Sequence, residues 1–146
     1  MANTQIGIYI KDKSLSDNIL WKKLIRTFAV IGSKYEIHCW KNELDEIKMA
    51  MQYGKEKRDA LQPWEHGTII EGIIDDNFID MLDNMEKPEA TDMCNKMTPF
   101  FSIFIKNVIS SEHYGTEIYI FSEPADKFGF MALLEELREY ADIHEL

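Results

Sequence analysis

The sequence predicts a single α+β domain, in which helices pack on a mixed sheet of four or five strands. Three observations predict this class. Short segments that alternate apolar and polar residues are interspersed with segments whose apolar residues recur at helical spacing. The chain of 146 residues is about the size of one domain. Hydrophobic residues make up 45% of it, enough for a sizeable core. We therefore treat residues 1–146 as one domain.

Five segments have the pattern of strands. In the first, Ile6, Ile8 and Ile10 share one face because strand side chains alternate. Gly72 interrupts the third segment, which favours a bulge or a close approach of backbone there. An alternative is that the third segment lengthens the helix after it. The predicted strands are residues 5–11, 34–41, 68–74, 100–108 and 116–122, and a loop over 109–115 joins the last two in a hairpin.

Helical spacing alternates with these strands and gives the order β-α-β-α-β-α-β-β-α. Polar caps, glycines and prolines set the predicted ends. The first helix starts at a cap at 14 or 16 and ends near 32, and the second starts at a cap at 42 and ends at 54. The third starts at a cap at 75 or 76 and ends at 87, and the fourth runs from about 124 or 126 to about 143. A further short helical piece is predicted over 90–97, and residues 55–64 are interpreted as a loop.

One face of the predicted hairpin is too apolar to be plainly solvated. Phe104, Tyr119 and Phe121 lie on it. Either a helix covers this face or part of it is a binding surface, and we favour the helix.

Targeting features and cysteine content indicate the cytoplasm. The first residues lack the basic and apolar regions of a signal peptide. No run approaches the roughly 18 apolar residues that a membrane span needs. Two cysteines, Cys39 and Cys94, make no disulfide framework and are expected to be buried free thiols.

Motifs of the common enzyme classes are not found. The chain has no phosphate-binding P-loop, no G-x-G-x-x-G and no G-x-S-x-G. Its four histidines are scattered, so we expect no metal and no cofactor. The acidic run 75–84 lacks the glycine of a calcium loop. Glu65 and His66 are a conceivable acid–base pair, but adjacent residues of an extended segment point apart. We expect a binding protein, not an enzyme.

Charge is distributed unevenly along the chain. The net charge is −10, which disfavours nucleic acid and anionic membrane as partners. Residues 1–62 carry 11 Lys/Arg and 8 Asp/Glu, whereas residues 63–146 carry 5 and 18. Residues 65–92 hold nine acids and one base, and three of the acids crowd one helix face at i, i+4 and i+7. Such a field favours a basic protein partner, and the predicted partner-binding residues are Trp64, Glu71, Asp75, Asp76, Asp80 and Asp83.

In size, acidity and lack of motifs, the chain resembles the immunity proteins of bacterial toxin systems. This resemblance rests on no diagnostic motif and carries over no residue, but it implies an inhibitor that covers the basic site of a nuclease-like toxin. For such an inhibitor we expect an aromatic residue such as Trp64 to supply the desolvated anchor that acidic residues lack. Two alternatives stay open: an unfamiliar enzyme, and a regulatory module that binds a small ligand in a pocket lined by Trp40, Phe104, Tyr119 and Phe121. The sequence does not determine an oligomeric state.

Overall fold

Among the described residues, eight strands form one antiparallel sheet in the order β3-β4-β2-β5-β6-β7-β1-β8. The computed structural model describes residues 5–11, 15–58, 66–91 and 94–145. The strands are β1 (Ile6–Ile10), β2 (Lys34–Trp40), β3 (Lys55–Glu56), β4 (Gly67–Ile73), β5 (Ser102–Ile105), β6 (Ile109–Glu112), β7 (Glu117–Ile120) and β8 (Ala141–Glu145). The helices are α1 (Ile19–Phe28), α2 (Leu44–Met51), α3 (Asp76–Asp83) and α4 (Lys127–Leu137).

The α+β class is confirmed, but the predicted mixed sheet of four or five strands is wrong. The sheet has eight strands, and every pairing is antiparallel. The observed order is β-α-β-α-β-β-α-β-β-β-α-β. The strands missed are β3, β6 and β8. Strand β3 has two residues, too few to produce a periodic pattern. In the piece predicted to be helical over 90–97, the described residues form no helix.

Strand β6 lies where a loop was predicted because a tight turn interrupts the segment 100–108. Asn107 has a positive φ of 63°, a conformation that asparagine adopts more readily than most residues. The N–H of Val108 donates to the carbonyl of Ile105 at 3.0 Å. Ile109 then pairs with Ile105, so the chain returns after three residues.

Strand β8 was predicted to be the end of the last helix. Helix α4 stops at Leu137, and residues 141–145 pair with β1. Ala141 is buried as a helix would bury it, but it is a strand residue opposite Ile10. The spacing of four between Leu137 and Ala141 fits a helix, whereas Ala141 and Ile143 also fit period two. Pairing with β1 decides between the two patterns.

All four helices pack on the same face of the sheet. The Trp21 indole of α1 donates to the Ser111 hydroxyl of β6 at 3.1 Å. The Phe78 ring of α3 lies 4.2 Å from the Tyr35 ring of β2, centroid to centroid. The Tyr35 hydroxyl donates to the carbonyl of Tyr53, just after α2, at 2.9 Å. Helix α4 is layered on α1. The core lies between this face and the helices.

The opposite face carries no helix of the described residues, so the predicted helix over Phe104 and Tyr119 is wrong. Their alternate neighbours Ile103 and Ile118 point into the core instead. The longest of the described helices has 11 residues. In the described part of the chain, none is long and apolar enough for a membrane span.

Candidate binding face

The sheet face opposite the four helices is the candidate functional surface, and we call it the helix-free face. Residues that oppose each other on neighbouring strands share a face. Ile37 is buried and points toward the helices, so its neighbours Glu36 and His38 point to the helix-free face. The cross-strand register then assigns the side chains of all the other strands to one face or the other.

One row across this face is acidic. Its members are successive Cα partners: Glu112 of β6 opposes Glu117 of β7, Glu117 opposes Tyr9 of β1, and Tyr9 opposes Asp142 of β8. We call Glu112, Glu117, Tyr9 and Asp142 the acidic row. Three strand spacings separate its ends, about 14 Å. A tyrosine therefore lies between carboxylates within one short strip of surface.

Local hydrogen bonds orient the two glutamates of the acidic row. The Ser110 hydroxyl lies 3.2 Å from Oε2 of Glu112. The Tyr119 hydroxyl donates to Oε2 of Glu117 at 3.1 Å. His113 Nε2 lies 3.6 Å from the same Glu117 carboxylate. The two glutamates therefore extend over the face in defined directions.

Two tyrosines form the apolar part of the surface. The rings of Tyr9 and Tyr119 meet edge to face, with centroids 5.9 Å apart. The His144 ring lies on the other side of Tyr9, with centroids 5.8 Å apart. A hydrogen bond with Tyr9, then burial, then the bond to Glu117 raise the pKa of Tyr119 above its ordinary value. The Tyr119 phenol thus stays protonated at neutral pH and keeps donating to Glu117.

The predicted partner-binding residues do not all lie on one side of the sheet. Glu71 opposes Glu36 on β2 and so points to the helix-free face. Asp75, by contrast, caps α3 on the helix side, where its Oδ1 accepts from the N–H of Phe78 at 2.9 Å. Asp75 is thus confirmed as one of the two predicted caps. Trp64 lies outside the described residues.

The remaining acids of α3 have different surroundings. Asp83 is 3.3 Å from Nε of Arg26 on α1, and both side chains are about half exposed. Lys22 of α1 also contacts the end of α3, where its Nζ donates to the Asp83 carbonyl at 3.1 Å. Asp76 and Asp80 are exposed, and no basic nitrogen of the described residues lies within 4 Å of either carboxylate.

The aromatic residues of the alternative pocket are spread along the helix-free face. Phe104 lines a groove near β2 and β4. Trp40 lines a separate opening with His66 and Tyr114. Tyr119 belongs to the acidic half of the face, two strands away from Phe104. Glu65, the proposed partner of His66, lies outside the described residues.

Sequence reasoning missed the acidic row because its members are distant in the chain. Glu112 was assigned to a loop and Asp142 to a helix, so neither was placed on the sheet. Tyr9 and Glu117 were in predicted strands, but nothing in the sequence paired those strands. Positive φ at His113 and Tyr114 forms the turn that aligns β6 with β7. Histidine is enriched in that conformation but tyrosine is not, so the sequence gives only a weak signal for this turn.

Neither a metal site among the described residues nor a similar protein assigns a further role to this surface. No three His, Cys, Asp or Glu side chains among the described residues are grouped to hold a metal ion. Both cysteines are free thiols, and Cys39 is buried as predicted, with burial raising its pKa to about 12. Cys94 is partly exposed, so its predicted burial is wrong. Comparisons with protein-family models, curated proteins and solved structures found no match for this chain.

Proposed function

We propose that this chain is a protein-binding inhibitor that covers a basic surface of its partner, as an immunity protein covers a nuclease-like toxin. The observation that carries the proposal is the acidic row on the helix-free face. Carboxylates alone would steer a basic partner but bind it weakly. Half-buried tyrosines beside them supply the large, rigid contact area that dominates most interfaces.

The chemistry of the acidic row suits lysine or arginine side chains. Glu112 and Glu117 oppose each other on neighbouring strands, and like charges there are destabilising. A guanidinium or ammonium group placed between them removes that repulsion. Tyr9 lies beside Glu117, where its ring face can receive the same cation. The net charge of −10 speeds the encounter with a basic protein and repels nucleic acid.

Helix α3 offers a second acidic surface for the same class of partner. Asp76 and Asp80 are one helical turn apart and exposed. Both belong to the set of partner-binding residues predicted from the sequence, whose other members are Glu71, Asp75, Asp83 and Trp64. Arg26 offsets the charge of Asp83, which is why we rank this surface below the acidic row. A bacterial cytoplasmic location belongs to the proposal, since both cysteines are free thiols.

Affinity capture from the source lysate with immobilised variants tests this proposal. One variant combines Glu112→Gln with Glu117→Gln, and a second combines Asp76→Asn with Asp80→Asn. The control combines Glu136→Gln with Glu139→Gln, two exposed acids of the α4 region. All three remove two negative charges, so only position differs.

We expect wild type and control to recover the same basic protein, and the Glu112/Glu117 variant to lose it. Loss only with the Asp76/Asp80 variant would move the site to α3. Recovery unaffected by any variant, or an acidic protein as the only partner, would contradict the proposal.

A further inference from the structure

A groove with the opposite charge lies at the other end of the helix-free face, over β3, β4, β2 and β5. Its volume is about 620 Å³. We call it the lysine groove, after the charged residues that line it: Lys34, Lys55, Lys57, Lys106, Glu36 and Glu71. Four lysines against two glutamates give a local charge of +2 in a chain of net charge −10. The groove therefore attracts anions where the rest of the surface repels them.

Two of the lysines lie side by side on neighbouring strands. The N–H of Lys106 donates to the carbonyl of Lys34 at 3.0 Å, which continues the pairing of β2 with β5. Strand alternation places both side chains on the helix-free face. Both are exposed, and no carboxylate oxygen of the described residues lies within 4 Å of either ammonium group. Such a pair is unfavourable until an anion bridges it.

The acidic side chain in the centre of the groove is already neutralised. Glu36 Oε2 lies 3.1 Å from Lys57 Nζ, and Oε1 lies 3.0 Å from His38 Nε2. Glu71 is opposite Lys55 across β3 and β4. Among the groove's lysines, and within the residues that the structure describes, Lys34 and Lys106 have neither an ion pair within 4 Å nor a glutamate opposite them on a neighbouring strand.

An apolar surface adjoins these cations. The Phe104 ring, half-buried, packs against His38 with centroids 4.7 Å apart. Ile73 also lines the groove, and 58% of its surface is exposed. A ligand that fits both parts has a charged end and a flat apolar end.

We propose that the lysine groove binds a small organic polyanion of the nucleoside phosphate class. The phosphates lie between Lys34 and Lys106, and the planar ring lies on Phe104. The groove volume is within the range of small-ligand sites, about 300–1,000 Å³. A long nucleic acid is a poorer fit, because the acidic remainder of the chain repels a continuous phosphate backbone.

Calorimetric titration of the full chain with ATP, AMP and inorganic phosphate at about 50 mM salt tests this site. We expect ATP to bind with a Kd below about 1 mM, more tightly than AMP and much more tightly than phosphate. Lys106→Glu is expected to weaken ATP binding about tenfold or more, because it replaces one bridging cation with an anion. Phe104→Ala is expected to weaken ATP and AMP while leaving phosphate unchanged.

Lys48→Glu on α2 is the matched control, since it makes the same charge change at an exposed position on the helix side. It should change ATP affinity less than about twofold. Circular dichroism confirms that each variant is folded. Three results would overturn the site: no saturable ATP binding, equal weakening by Lys48→Glu and Lys106→Glu, or tighter binding of a long single-stranded oligonucleotide than of ATP. The groove shares no residue with the acidic row, so the two proposals fail separately.

Discussion

Glu112 and Glu117 oppose each other across β6 and β7, so two carboxylates share one row of the helix-free face. The side chains of directly opposed strand residues lie close together, and like charges there reduce stability. Ser110 and Tyr119 hold the two carboxylates by hydrogen bonds, and His113 Nε2 lies 3.6 Å from Glu117. The fold therefore tolerates a repulsion that a cationic partner would relieve.

The free chain should become more stable when this repulsion is removed. Glu112→Gln keeps an oxygen that accepts from Ser110 and removes one charge. We expect the free energy of unfolding to rise by about 0.2–1 kcal/mol, with a smaller gain at high salt. Urea unfolding at two salt concentrations measures this. Glu139→Gln near the end of α4 is the control for net charge, and an equal gain there would mean that the opposed pair is not the cause.

Asp75 and Asp80, both nominated as partner-binding residues, should affect stability differently. Asp75 accepts the N–H of Phe78 as the cap of α3, and Asp75→Ala should lower the free energy of unfolding by about 0.5–2 kcal/mol. The exposed Asp80 carboxylate has no such role, and Asp80→Ala should change stability by less than about 0.5 kcal/mol. Thermal unfolding followed by circular dichroism compares the two. Equal losses of stability in the two variants would show that the Asp75 cap contributes little to the free energy of unfolding.

Gly72 should not tolerate a side chain. A Cβ there would lie 2.6 Å from the Tyr35 hydroxyl oxygen and 2.8 Å from the ring. Burial, aided by the charge of Asp75, raises the pKa of Tyr35 to about 12, so its hydroxyl stays protonated and bonded to Tyr53. Gly72→Ala should therefore destabilise the protein by about 1–3 kcal/mol.

Gly7→Ala is the matched control for Gly72→Ala, because Gly7 is also a strand glycine next to a tyrosine. A Cβ at Gly7 would lie 3.1 Å from the end of the Tyr9 side chain, a milder overlap than at Gly72, and Tyr9 is only half-buried whereas Tyr35 is buried. In urea unfolding, Gly7→Ala should lower the free energy of unfolding clearly less than Gly72→Ala does. A Gly72→Ala variant as stable as wild type would mean that Tyr35 has space to move.

Low pH should remove the contribution that Glu36 makes to the stability of the fold. Desolvation acts to raise its pKa, but hydrogen bonds from His38 and Lys57, with the charge of Lys57, outweigh it and hold the pKa below the ordinary value of 4.5. A lowered pKa in the folded state stabilises the protein above pH 4.5, and that stability is lost as the pH falls through the folded-state pKa.

We therefore expect wild type to exceed Glu36→Gln in stability at pH 7, by less than about 1 kcal/mol because the site is partly exposed to solvent. The difference should shrink at pH 3.5. Chemical unfolding at both pH values tests this. A difference that stays constant or grows in acid would contradict the assigned ion pair.

The sequence predicted the local elements better than their number or arrangement. Strands with several alternating residues, such as β1 and β2, were correctly placed because period two is visible in seven residues or fewer. Strand β4 was placed by its largely apolar run instead. At Gly72 the predicted bulge or close backbone approach is wrong, because the register with β2 is unbroken there and the close neighbour is the Tyr35 side chain. Strand β8 was not predicted because Ala141 fits both the helical and the strand period, and only the pairing of residues 141–145 with β1 shows that they form a strand.

The candidate site was mostly beyond sequence reasoning. The sequence shows that acids are abundant in the second half, but not which face each occupies. Glu71 and Asp75 are four residues apart, yet the sheet separates them, since Glu71 belongs to a strand and Asp75 to the helix after it. Glu112 and Asp142 are 30 residues apart in the printed sequence, yet they fall in one row because β7 and β1 lie between their strands. Long-range register is set by the whole core and not by a local pattern.

The central claim is that the acidic row binds a basic protein, and the most direct measurement is salt-dependent capture. Wild type, Glu112→Gln/Glu117→Gln and Glu136→Gln/Glu139→Gln are compared at about 50 and 500 mM salt. We predict that wild type and the α4 control recover one basic protein at low salt and lose most of it at high salt, and that the Glu112/Glu117 variant recovers little at either. Equal recovery by all three proteins at both salt concentrations would contradict the claim.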